Sequence, residues 1–184
     1  MKTAFTFTFL LALFSTSAVA LPGDYLAQQP AKGDFALVSK STQATIQLDD
    51  KDHKGLKRAV QSLQQDIQKV SGKSLRVSAK ADAKQLLIIG SLGNNALLDQ
   101  LITAGKLDVS AIQGRWEAYL IQVIEQPLPG IEQALVIAGS DKRGAIFGVY
   151  DLAETIGVSP WNWWADVPVK KQELPQTIRM EPVW

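Results

Sequence analysis

The chain has 184 residues, 19 Lys and Arg against 18 Asp and Glu, a formal net charge of +1 at pH 7, and no cysteine. Without cysteine there can be no disulfide, thiolate-zinc centre or thiol nucleophile, and so even a charge balance calls for neither nucleic acid nor an anionic membrane as partner. With 46% hydrophobic and 20% charged residues the composition is that of an ordinary globular chain able to bury a core.

Residues 1–20 have the layout of a secretory signal peptide: Lys2 as the charged start, an apolar core over 5–14, and Ala18-Val-Ala20 as a small-residue cleavage site, with cleavage after Ala20. The apolar core is shorter than the roughly 20 residues that span a bilayer, so export to a secreted or periplasmic location is expected rather than anchoring. Removal of residues 1–20 from 184 leaves 164, a length that suits one domain.

Residues 21–33 hold prolines, glycines and polar residues without periodicity, which predicts an N-terminal linker. Strands are predicted over 35–38 and 45–48, joined as a hairpin through the polar turn 39–43. Leu56, Val60, Leu63, Ile67 and Val70 step by four, three, four and three, the signature of a long amphipathic helix, and Gly72 stops it. A brief strand follows over 75–78. The unbroken apolar run 86–89 reads as a strand inside the sheet rather than at its edge.

The turn 90–94 leads into a shorter helix with Leu97, Leu98, Leu101 and Ile102 on its buried face and Gly105 as its end. A longer strand is predicted over 116–124, where Tyr119, Ile121 and Val123 face one way and Leu120 and Ile124 the other. After a turn at 127–130, the run 134–138 supplies another sheet strand. Ser140 and Asp141 can cap a third helix, whose buried face is read as Ile146, Val149, Tyr150, Ala153 and Ile156, with Gly157 as its stop. A last strand falls near 177–180. The resulting order, β-β-α-β-β-α-β-β-α-β, predicts an α/β (α+β) class: one mixed β-sheet flanked by helices.

Few residues offer chemistry. The turn 90–93 lacks the G-x-G-x-x-G spacing, and Gly139-x-x-x-x-Gly144 has Ala145-Ile146 where a P-loop needs Lys and Ser or Thr, so neither is a nucleotide motif. Ser140, Lys142, Arg143 and Gly144 remain a weak anion-site candidate, with a structural turn the preferred reading. Asp151 and Glu154, three apart on a helix, read as a solvated face rather than as the carboxyl pair of a glycosidase. His53, the single histidine, reads as an exposed residue near a helix start, and it rules out a multi-histidine metal site. No metal or cofactor is called for.

Trp161, Trp163 and Trp164 precede Asp166 in a segment of alternating direction, so Trp161 and Trp163 share one side and Trp164 takes the other. Two readings stay open: packing in a core or domain interface, which is preferred, and direct stacking on sugar. The isolated Trp116 and Trp184 are read as core or tail.

Two stretches, Gly139-Ser-Asp-Lys-Arg-Gly144 and Ser159-Pro-Trp-Asn-Trp-Trp-Ala-Asp-Val167, resemble the N-terminal region of glycoside hydrolase family 115, the xylan α-1,2-glucuronidases, within a likeness running over about 35–173. The resemblance implies an α/β domain (34–174) of the kind that precedes the barrels of α-glucuronidases and β-hexosaminidases. It implies a tail or linker (175–184) toward a catalytic (β/α)8 barrel as the partner, and glucuronoxylan as substrate of the complete enzyme. On that reading the chain is a non-catalytic domain, without nucleic-acid or membrane partner. The alternative is a free-standing secreted carbohydrate-binding module.

Overall fold

In a computed structural model the described residues are 26–27, 31–159, 169, 171 and 176–179. Among these described residues eleven elements follow in order: β1 (Leu26–Ala27), β2 (Phe35–Val38), β3 (Thr45–Leu48), α1 (Lys54–Ser71), β4 (Val77–Ser78), β5 (Gln85–Ser91), α2 (Ala96–Thr103), β6 (Tyr119–Glu125), β7 (Gln133–Gly139), α3 (Lys142–Thr155) and β8 (Gln176–Ile178). Residues 1–20, with their expected cleavage after Ala20, lie outside the described residues. So do Trp161, Trp163, Trp164, Asp166 and Trp184.

The main sheet has the order β4-β3-β5-β7-β6, with β6 antiparallel to β7 and the other pairs parallel, which is the expected mixed sheet flanked by helices. Its central strands are apolar on both faces because both are covered. Leu87 and Ile89 of β5 and Leu135 and Ile137 of β7 point into a core shared with α1 and α3. Their neighbours Leu86, Ile88, Ala134 and Val136 point into a second core with Leu98 and Leu101 of α2. The alternation expected for β6 holds: Ile121 and Val123 pack on the first core, Leu120 and Ile124 on the second.

The chain does reverse at 39–43, where the Ser39 amide donates to the Thr42 carbonyl at 2.7 Å and Val38 bridges Gln43. The strands on either side then part instead of forming a hairpin ladder. β3 is buried along its whole length and joins the main sheet between β4 and β5, whereas β2 pairs antiparallel with β8 in a separate sheet of order β1-β8-β2. β1 falls within the stretch read as an N-terminal linker, and β8, the middle strand of three, lies where a last strand is expected near 177–180, within the stretch read as a tail. Ile178 is fully buried, and Arg179 grips Asp34 through Nε–Oδ1 and Nη2–Oδ2 bonds of 2.9 and 2.8 Å. Among the described residues no helix is long and apolar enough to cross a membrane.

The three helices are where the apolar periodicity and the glycines place them; Gly72 and Gly157 take the left-handed conformation just past α1 and α3, with φ of 76° and 95°. One face needs correction. The buried side of α3 consists of Gly144, Ala145, Gly148, Val149, Leu152 and Ala153, while Tyr150 is 54% exposed. The reason is steric. A Cβ at Gly144 would land on the Ala118 carbonyl oxygen, and one at Gly148 would lie 2.6 Å from Ile137 Cγ2 and 3.1 Å from Tyr119 Cδ2. Two glycines one turn apart thus let the helix backbone approach the β6–β7 edge, and Tyr150 rotates outward.

Helix propensity alone would make Gly144→Ala stabilising by about 1 kcal/mol. The contact with Ala118 reverses the sign: urea unfolding should show a loss of about 1–3 kcal/mol, the usual cost of overpacking. A stabilised variant would show that α3 does not rest on the Ala118 carbonyl.

Candidate functional site

Three places in an α/β sheet invite a ligand, namely the carboxyl ends of the parallel strands where they feed helices. Here each is filled by the chain's own side chains. Beyond β3, the Asp52 carboxylate is buried and accepts from the Ser91 amide and hydroxyl, both at 2.9 Å, tying the β3–α1 turn to the end of β5. Beyond β5, Asn95 caps α2 by accepting from the Leu97 and Leu98 amides, and its own amide group donates to Gln47 Oε1 and the Ile89 carbonyl at 3.0 Å. The glycine turn at 90–93 is therefore structural, as read from its spacing.

Beyond β7 lies the candidate anion site. Its helix start is occupied by Asp141, which accepts from the Gly144 amide at 2.8 Å and from the Glu117 amide at 2.9 Å. Those two amides, with Glu117 the stronger, hold the Asp141 carboxyl below its ordinary pKa. Ser140 does not cap the helix: its hydroxyl donates to the Ala118 carbonyl at 3.0 Å and accepts from the Ala118 amide at 3.1 Å. Arg143 is ion-paired with Glu117 at 2.7 Å and stands 6.0 Å from the centre of the Phe147 ring. Ser140, Arg143 and Gly144 thus build a turn that locks α3 to the start of β6, and a carboxylate sits where an anion would go. Lys142 is exposed beside them.

The lock also explains Trp116. Read as core or tail, the residue is instead 89% exposed. Its neighbour Glu117 has φ of 55°, a left-handed conformation costly for a residue with a Cβ, and is held there by the Asp141 and Arg143 contacts. The chain turns at Glu117 and β6 begins only at Tyr119, so Trp116 lies outside the sheet. His53 is exposed at the N-cap position of α1. Among the described residues no group of three or more His, Asp or Glu is placed to hold a metal ion.

The outward rotation of α3 opens a groove of about 690 Å³ toward α1. Ser62 and Asp66 line it from α1, Tyr119 from β6, and Phe147, Tyr150, Asp151 and Glu154 from α3, while Val158 and Ser159 close the end where α3 stops. Asp66 is held by Lys69 at 3.2 Å. Asp151 departs from the solvated face read for it. Burial pushes its carboxyl above the ordinary value and the Glu154 charge adds to this, against a hydrogen bond from Tyr119 that favours the carboxylate. The signal that sequence reading missed is the Gly144-x-x-x-Gly148 pair, which sets the helix face and so sends Tyr150 and Asp151 into the groove.

A mixed sheet with helices on both faces, whose helix-feeding strand ends are filled by the chain's own side chains, defines an α/β domain. The comparisons agree with this class. The family model for the glycosyl hydrolase family 67 N-terminus matches residues 34–152, more than half of the chain, and the chain belongs to that family. A solved structure described as a novel family GH115 4-O-methyl-α-glucuronidase with specificity for decorated arabinogalactans superposes with a TM-score of 0.64 and 26% identity. The match covers 80% of this chain and 17% of that one. An N-acetyl-β-hexosaminidase of Streptomyces plicatus in complex with Thio-NAglucal matches at a TM-score of 0.45 and 12% identity, over 85% of this chain and 23% of that one. Among curated protein sequences none matches. The chain is an N-terminal domain of the α-glucuronidase type, and it spans less than a fifth of the length of the glucuronidase structure it matches.

Asp141→Ala should destabilise the domain at pH 7 by about 1–2 kcal/mol, the cost of losing a helix N-cap. Because folding lowers the Asp141 pKa, its contribution is present above the unfolded value and disappears as pH falls through the folded one. Thermal melts of the variant and the parent should therefore differ at neutral pH and converge in acid, once the pH has fallen through the lowered Asp141 value. An undiminished difference in acid would assign the loss to packing instead of to the carboxylate.

Proposed function

We propose that this chain is the N-terminal, non-catalytic domain of a secreted or periplasmic α-glucuronidase of the family 115 kind. The enzyme would remove (4-O-methyl)glucuronic acid branches from glucuronoxylan. The observations that support it best are the family match over 34–152 and the superposition on the GH115 enzyme, which covers 80% of this chain. The stretches 139–144 and 159–167 favour family 115 within the α-glucuronidases. That the GH115 relative is described as specific for decorated arabinogalactans makes the polymer, more than the branch, the open choice.

The working parts of such chemistry are two carboxyl groups roughly 5–10 Å apart across a sugar, on a rigid scaffold. In barrel enzymes they stand on loops at the carboxyl end of a (β/α)8 barrel of about 250 residues. This domain's partner is that barrel, with Trp161, Trp163 and Trp164 as docking rings ahead of it and Asp166 among them. Its own Asp151 and Glu154 share one helix and one groove wall.

The test takes exported protein whose intact mass corresponds to a start at Leu21, and incubates it with glucuronoxylan, with a glucuronidated arabinogalactan and with aldouronic acids. No 4-O-methylglucuronic acid should be released above a heat-killed control. Release that is abolished by Asp151→Asn or Glu154→Gln would overturn the non-catalytic reading and move the chemistry into the α1–α3 groove.

A further inference from the structure

The groove between α1 and α3 belongs to none of the chemistry above, and its lining is specific enough to name a ligand class. Its volume of about 690 Å³ lies within the roughly 300–1,000 Å³ typical of small-molecule sites. Two of its rings, Phe147 and Tyr150, are 40% and 54% exposed although they neighbour a well-packed core. Tyr119 forms the base, its ring against Gly148 and its hydroxyl directed to Asp151. Faces of this kind bind flat apolar surfaces while their surroundings stay wet.

The charged part of the described lining is accepting, and its hydroxyls can both donate and accept. Asp66, Asp151 and Glu154 contribute carboxyl oxygens, and Ser62 and Ser159 contribute hydroxyls. Among the described lining residues there is no Lys or Arg; of the cations nearby, the Lys69 ammonium is bound to Asp66, and Arg143, 6.0 Å from the centre of the Phe147 ring, is bound to Glu117. A carboxylate ligand would meet like charge here, so the groove is unsuited to a uronic acid. Asp66 and Asp151 already have partners in Lys69 and Tyr119, so what they lack is further weak donors and not a full positive charge. A ligand with C–H faces to lie on rings, many hydroxyl donors and no negative charge is a neutral sugar.

We propose that the α1–α3 groove is a subsite for a neutral pyranose residue of a polysaccharide main chain, stacked on Tyr150 and Phe147 and hydrogen-bonded by Asp151 and Glu154. It discriminates against the acidic branch sugar. All the residues it invokes belong to this chain, so its test does not depend on the barrel partnership.

The test is a titration of the ¹⁵N-labelled full chain followed through the backbone amides of Tyr150, Asp151 and Glu154. The probes are β-1,4-xylotetraose and β-1,3-galactotriose as neutral sugars, glucuronic acid as the anion and spermidine as the cation. At least one neutral sugar should give saturable shifts with a Kd near or below about 1 mM, and glucuronic acid should bind at least about ten-fold more weakly. Tyr150→Ala, a change at a half-exposed position, should weaken the neutral sugar about ten-fold while leaving the β5 and β7 amide signals in place. Phe147→Ala is the second variant, should Tyr150→Ala disturb those signals. Glu154→Gln should retain the neutral sugar and narrow its advantage over glucuronic acid. No saturable response to either neutral sugar would overturn the proposal. So would tighter binding of glucuronic acid or spermidine, or neutral-sugar affinity unmoved by both ring variants.

Discussion

The close approach of α3 to the β6–β7 edge is the constraint on which the rest of this domain depends. Gly144 rests under the Ala118 carbonyl and Gly148 under the Tyr119 ring, a spacing that any side chain at either position would prevent. With the helix this near, Asp141 can take the amides of both Gly144 and Glu117, and Ser140 can pair with Ala118. The same approach decides which face of α3 is buried. Ala145, Val149 and Leu152 fill the core, so Phe147, Tyr150, Asp151 and Glu154 are left along the groove. Packing at one edge of the sheet thereby sets the chemistry of a surface on the other side of the helix.

Filling the strand ends has a functional meaning of its own. In nucleotide-binding α/β folds those ends are open, glycine-rich and positive in potential. Here Asp52, Asn95 and Asp141 occupy them, satisfying turns and helix starts that would otherwise need solvent or ligand. What is gained is a rigid frame. The family of glycosyl hydrolase N-termini to which the chain belongs is matched over 34–152, the part of the chain that carries all three of these residues.

Much of this was legible in the chain. The spacing of Leu56, Val60, Leu63, Ile67 and Val70 found α1 and its buried face, and the unbroken runs in β5 and β7 marked strands covered on both sides. Three things were not legible, each because a tertiary contact overrode a local preference. Tyr150 matches the apolar stripe of α3, but backbone approach at two glycines turns the stripe away from it. Trp116 matches a strand start, but Glu117 is held in a left-handed turn by groups 24 and 26 residues further along the chain, Asp141 and Arg143. β2 and β3 look like a hairpin, but β2 finds its partner in β8, at the far end of the chain. The carboxyl of Asp151 follows from the first of these, since its burial is a product of where α3 lies.

Native-state hydrogen exchange at the amides of Glu117 and Gly144 tests this account most directly. Both donate to Asp141, Glu117 across the α3–β6 junction and Gly144 within the cap of α3. If the junction is part of the global fold, the two amides should exchange only through the same opening as the core amides of β5 and β7, with matching free energies and denaturant dependence. Exchange of Glu117 and Gly144 at the low free energy of a fraying helix end, while β5 and β7 stay protected, would contradict it.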